Sequence, residues 1–198
     1  MRLADVSVPT SPAATAAREV AVEFCSPALL NHSERSYYFA VGFASVAALS
    51  FDAELLYVSA QLHDLGLTEP FDNHRIAFET AGGYAAWLLT AGAGWPTDRR
   101  RRAMEVIERH MWPSVDPERD PEGHLLEIAT GLDISGARPD VLPRTYLDEV
   151  LARYPRLDLG PEFTACLVDQ AARKPQTAAA RLVAGGLADK LRHHPLEP

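Results

Sequence analysis

The sequence predicts an all-α protein, and three observations predict it. Apolar residues recur at three- and four-residue steps through most of the chain, the mark of helices with one buried face. Pro, Gly, Asp and Asn cluster between those stretches, where helices start and stop. No run alternates apolar and polar residues between hairpin turns, so no strand is expected.

The elements follow in order. Residues 1–10 read as a loose N-terminal tail. Ser11-Pro12 reads as a cap and first helical residue, opening an Ala-rich helix to Phe24. Pro27 interrupts. Asn31 and Glu34 have capping-box spacing, which starts a long apolar helix to about Leu49 and sets His32 in its first turn. Asp52 caps the next helix, which carries Leu55, Leu56, Val58 and Leu62 and ends at His63-Asp64. Residues 65–74 are a loop with Gly66, Pro70, Asp72 and Asn73. Helical pattern returns from Arg75 to Leu89, where Gly82-Gly83 permits close packing, and stops at Gly92, Gly94 and Pro96. Thr97 or Asp98 caps a helix through Met104, Val106 and Ile107 to His110. Pro113, Pro117 and Pro121 mark a loop. Asp120-Pro121 starts a helix through Leu125 and Leu132 to Asp133, which Gly136 and Pro139 end. Three more helices are expected at about 144–153, 161–173 and 176–192. Residues 193–198 read as a short fraying tail, leaving 11–192 as a single domain.

Composition narrows the function. A chain of 198 residues has ample length for one buried core. The net charge of −8 argues against a nucleic-acid surface. No apolar run approaches the roughly 20 residues of a membrane span, and the N-terminus lacks a signal pattern. Cys25 and Cys166 sit in apolar helical patterns without a second cysteine at metal-binding spacing. They read as reduced thiols of a cytoplasmic protein.

The chemistry centres on His63-Asp64. A helix runs into an imidazole and a carboxylate side by side, and a glycine follows two residues later. Neighbouring helical side chains point about 100° apart, yet both can reach one ion at the helix end. His32, His110 and Asp133 also fall near predicted helix ends. In a helical bundle such positions converge, and a mixed N/O donor set suits a divalent metal with an open position. Each residue has an ordinary role as well. His110 suits the negative end of its helix dipole, Asp133 reads equally as a plain helix-end carboxylate, His74 as a cap and His124 as a surface residue.

The blocks His32-Ser33-Glu34-Arg35-Ser36-Tyr37, Ala60 to Thr68 around His63-Asp64, Phe78-Glu79-Thr80-Ala81-Gly82-Gly83, Ile107-Glu108-Arg109-His110 and Leu132-Asp133-Ile134-Ser135-Gly136 resemble the HD-domain superfamily. Within it they most resemble the cyanamide hydratase branch, over roughly residues 28 to 175. The resemblance implies an HD-domain helical bundle holding one metal between helix ends through His32, His63, Asp64 and Asp133. It implies zinc, with Fe2+ and Mn2+ as other ions the donors accept. It implies a lyase or hydrolase in which metal-activated water adds to a nitrile-type small molecule. Asp64 and His110 would be the catalytic pair.

Leu67-Thr68 stand where many phosphohydrolases of the superfamily carry a lysine. Phe78-Glu79 stand near where its dinuclear members use another histidine, so one metal is expected. Tyr38, Phe71, Arg75, Phe78, Glu79 and Trp112 are the candidate substrate-pocket residues, although Arg75 and Glu79 are also spaced to pair on one helix face. Arg99 to Arg102 form the one dense basic run. It suits a phosphate or nucleotide, a solvated helix face, or a contact between subunits. The alternatives are therefore an HD phosphohydrolase and a non-enzymatic helical binding module. The expected partner is a small molecule, with neither nucleic acid nor membrane, and the apolar C-terminal helices suit a homo-oligomer as well as a core.

Overall fold

The computed structural model describes residues 1–197, and among these it is all helical. The α-helices are α1 (Pro12–Phe24), α2 (Pro27–Ala47), α3 (Ala53–Leu62), α4 (Phe78–Gly92), α5 (Thr97–Arg109), α6 (Pro121–Ser135), α7 (Arg144–Arg153), α8 (Leu159–Arg173), α9 (Ala178–Ala184) and α10 (Leu187–Arg192). None is long and apolar enough to cross a membrane.

Local chemistry sets the starts. Ser11, Ser26, Asp52 and Asp120 each accept a backbone N–H of the first turn, and Pro follows the cap in α1, α2 and α6. Three starts differ from the sequence reading; at α5 the helix begins at Thr97 itself, after Pro96 and with no side-chain cap. Ser26-Pro27 opens α2 rather than interrupting the chain, so His32 lies in the second turn. Asn31 does not cap; its amide donates to the Pro155 carbonyl at 2.8 Å. The third difference is α4, which begins at Phe78 and not Arg75. Asn73 Oδ1 accepts from the Arg75 and Ile76 amides at 2.8 and 3.1 Å and holds that segment in a turn. The expected helix 176–192 divides into α9 and α10 at Gly185-Gly186, where Gly186 takes φ +80°.

Both tails are docked, against the loose reading. The Leu3 amide donates to Glu149 on α7 at 2.7 Å, and the Tyr37 hydroxyl donates to the Ser7 carbonyl at 2.8 Å. At the other end His194 and Leu196 are buried, and His194 Nε2 lies 3.0 Å from the Leu132 carbonyl. Gly136 permits this approach, because a Cβ there would stand 2.4 Å from Pro195.

α2 and α3 lie at the centre, with α1, α4, α5 and α6 packed around them. The larger apolar cluster contains Phe39, Leu56, Leu62, Ile107, Leu125 and Tyr146. A smaller one joins Leu29, Phe78, Ile134, Phe163 and Leu191, and so carries α8 and α10. Cys25 and Cys166 are free thiols partly buried against it; burial pushes the Cys25 thiol up to about 12. Glycine brings α4 onto the end of α3: a Cβ on Gly82 would meet the Leu62 and His63 carbonyls at 2.9 and 3.0 Å.

Candidate metal centre

His32 projects from α2, and His63 and Asp64 stand at the C-terminal end of α3. All three are at most 1% exposed. The Nε2 atoms of His32 and His63 are 3.1 Å apart, and each lies 3.3 Å from Asp64 Oδ2. One donor atom from each residue thus falls within 4.8 Å of the others.

The far side of each ring is fixed. His63 Nδ1 donates to the Ala60 carbonyl at 2.8 Å, and His32 Nδ1 donates to Asp133 Oδ2 at 2.6 Å. In neutral rings both Nε2 lone pairs then face one another and a carboxylate. Neither Asp64 oxygen has a hydrogen-bond donor among the described residues. Burial pushes the Asp64 carboxyl up, but the charge of His63 and the approach of His32 outweigh it and hold the group below the usual carboxylate range. Burial likewise lowers His32, and Asp133 and Asp64 outweigh that and raise it. The arrangement demands positive charge at one point, supplied by a proton on a ring or by a metal ion. Imidazoles with the outer nitrogen hydrogen-bonded are the form in which proteins present histidine to metals.

His110 closes α5. Its Nδ1 donates to the Ile107 carbonyl, and its Nε2 stands 3.9 Å from Asp64 Oδ1. Burial, then the charge of His63, pushes it down to about 3. It is therefore a neutral acceptor across the physiological range.

Asp133, the fourth expected ligand, stands outside the group that His32, His63 and Asp64 form. It sits behind His32 and receives Arg35 and Arg156 as well. The reason is helical phase. α6 turns Glu127, Thr130, Gly131, Ile134 and Ser135 toward the cavity above the site, in steps of three and four. Asp133 falls off that stripe, since each residue turns about 100°.

No family model matches the chain. It is 30% identical to cyanamide hydratase DDI2 of Saccharomyces cerevisiae, over 86% of this chain and 77% of that protein. Cyanamide hydratase DDI3 of the same yeast matches equally. The chain belongs to the cyanamide hydratase family.

In this cyanamide hydratase family member a cavity of about 200 Å³ opens above the donors. Its floor is His32, His63, Asp64 and His110, and its walls are the α6 stripe, Phe163, Trp112, Leu182 and Leu187. Of the six expected pocket residues only Trp112 lines it, at the mouth and 53% exposed. Tyr38 is core, its carbonyl accepting the Tyr146 hydroxyl at 2.6 Å. Phe71 packs edge-on against Phe24, and Phe78 packs behind the site against His110. Arg75 is exposed in the loop before α4 and makes no pair with Glu79. Glu79 is buried with Oε2 unpartnered among the described residues. Burial raises its carboxyl, with Asp64 adding to the effect. The expected six came from sequence neighbours of the motifs, whereas the walls come from helices remote in sequence.

The basic run is spent inside the chain. Arg99 pairs with Asp52 and Glu54 at 2.8 and 2.7 Å, and Arg100 donates to the Trp95 carbonyl at 2.7 Å. Arg101 pairs with Asp98 at 3.3 Å, and Arg102 with Asp120 and Glu122 at 2.6 and 3.2 Å.

Proposed function

We propose that this chain is an HD-domain, metal-dependent hydratase that adds water to a nitrile-type small molecule, with cyanamide as the first candidate. One observation carries the reading: two buried imidazoles with fixed outer nitrogens and a buried, donor-less carboxylate aim at one point. The donor set fits one divalent ion, with zinc as first choice. His32, His63 and Asp64 would hold it. When bound, the metal supplies Lewis-acid activation of water near neutral pH.

The remaining work falls to the chain. Hydration of cyanamide forms a C–O bond and moves two protons from water to nitrogen, giving urea. Asp64, ionised and buried, orients the attacking water through the oxygen that faces His110. His110 Nε2 accepts a hydrogen bond from the water or from the substrate amino group. With its basicity pushed down to about 3, it orients and relays rather than stores a proton. Apolar walls from Ile134, Phe163, Leu182 and Leu187 limit competing water. The narrow cavity suits a molecule of a few heavy atoms.

The phosphohydrolase reading finds less support. Arg99, Arg100, Arg101 and Arg102 are occupied elsewhere, and Arg75 is not among the residues lining the cavity. The proposed setting is cytoplasmic, with a small-molecule substrate as the partner. The test is metal per chain, from a preparation without a chelating tag, together with urea formed from cyanamide. About one zinc per chain with metal-dependent urea release is expected. Phosphate release from nucleotides with no urea would replace this reading with the phosphohydrolase one.

A further inference from the structure

The outer side of His32 is held by a network that the proposed chemistry leaves unused. Asp133 Oδ2 accepts from His32 Nδ1 at 2.6 Å and from Arg35 Nη2 at 2.7 Å. Asp133 Oδ1 accepts from Arg35 Nε at 2.8 Å and from Arg156 Nη1 at 2.9 Å. A carboxylate has about four lone-pair sites, and four donors fill them. No lone pair is left to bind an ion.

The clamp is itself secured. Arg35 is fully buried, and its Nη1 donates to the Tyr154 and Pro155 carbonyls at 2.9 and 3.1 Å. Arg156 is 6% exposed and also donates to the Asp133 backbone carbonyl. Behind it, Arg156 Nε donates to Glu197 Oε1 at 2.9 Å. Two guanidiniums thus face two carboxylates, and the charge closes only when Glu197 is counted. Leu157, next to Arg156, takes φ +52°, a left-handed conformation that a leucine adopts only when its surroundings impose it.

We infer that Asp133 is a positioning residue that coordinates nothing: gripped by Arg35 and by Arg156 with Glu197 behind it, it fixes the tautomer and angle of His32, so that the C-terminal segment tunes metal affinity. The inference rests on the metal reading above. The carboxylate holds the proton on Nδ1, leaves the Nε2 lone pair facing His63 and Asp64, and raises its donor strength. Glu197 acts at third hand, by keeping Arg156 on Asp133.

The experiment uses the full chain stripped of metal and reloaded with Co2+, for wild type, Asp133→Asn and Glu197→Gln. Affinity is read by competition with a chromogenic chelator, coordination by the visible d–d band, and folding by a melt of the metal-free protein. Asp133→Asn is expected to keep the band position and intensity while affinity falls about 10- to 100-fold. Glu197→Gln is expected to keep the band and the melt and to lose about two- to five-fold in affinity. A changed band in Asp133→Asn would make Asp133 a ligand and overturn the inference. Wild-type affinity in Glu197→Gln would overturn the role of the C-terminal segment, and it stands even where Asp133→Asn does not fold. Wild type that takes up no Co2+ would overturn the metal reading itself, a result distinct from either.

Discussion

Two regions of this molecule gather charge, and they are finished in opposite ways. Between α3, α5 and α6, Arg99, Arg102 and Arg109 meet Asp52, Glu54, Asp120 and Glu122, and each of these side chains has an opposite charge within 4 Å. Where α2 meets the end of α3, His32 and His63 meet Asp64, and the carboxylate has no hydrogen-bond donor among the described residues. The first region is neutralised by the chain and sits where water still reaches some of it. The second is buried at the floor of the cavity, one carboxylate between two imidazoles. A buried unpaired carboxylate is costly, and one beside two imidazoles is the arrangement from which the metal proposal starts. The contrast separates charge that the chain pairs for itself from charge that the proposed function would pair with a metal.

The largest expected effect tests the second region. Asp64→Asn keeps the shape and removes the charge, so metal per chain falls to background. Hydration activity should drop by at least about a thousandfold, on the order lost when a main transition-state electrostatic group is removed. Elemental analysis and urea release check it, and full metal retention would erase the contrast.

A middle effect tests the finished region. Asp120 caps α6 through the Gly123 amide at 2.9 Å and receives Arg102 and Arg109 at 2.6 and 2.7 Å. Asp120→Ala is expected to cost about 1–3 kcal/mol in chemical denaturation and to leave metal content unchanged. Burial raises the Asp120 carboxyl, but the two arginines and the amide outweigh it and lower it. With its folded value depressed, its contribution is present above the unfolded carboxylate range. It is lost as pH falls through the folded value, below about pH 4. In the variant the stability curve should flatten in that window, which urea melts between pH 3 and 6 would show.

The smallest effect sharpens the comparison by its absence. Among the described residues Arg101 pairs only with Asp98, three residues before it and largely exposed. Arg101→Ala should shift stability by less than about 0.5 kcal/mol and leave activity intact. A large loss would mean that the basic run serves a partner after all.

Most of the helices were legible because caps and apolar periodicity are local. Two of the boundaries that moved, Pro27 and Arg75, turned on one side chain each: Ser26 as a cap and Asn73 as a turn. His63-Asp64 was legible because one peptide bond binds the pair together. The place of Asp133 behind His32 was not, because the cavity face of α6 and the face toward His32 Nδ1 differ by a fraction of a helical turn. The cavity face of α6 was present in the sequence as a three-and-four pattern, 127, 130, 131, 134 and 135. It mixes an acid, two hydroxyls, a glycine and an isoleucine, so it reads as neither a core face nor a solvent face. Phe163, Leu182 and Leu187 reach the cavity from α8, α9 and α10, through packing that no local pattern announces.

The contact of α4 with the end of α3 has a consequence for how this scaffold can change. Gly82 lies against the carbonyls of Leu62 and His63, and a Cβ on Gly66 would stand 2.1 Å from the Phe78 carbonyl. On that side main chain closes on main chain, and a side chain at either glycine would push the two apart. The opposite walls are side chains of α6, α8, α9 and α10. Descendants of this chain can therefore exchange substrates only from one side. The glycine half is held fixed while the other half is free to drift, and a designer who wants a new substrate should randomise Thr130, Ile134, Phe163, Leu182 and Leu187 and leave the glycine side untouched.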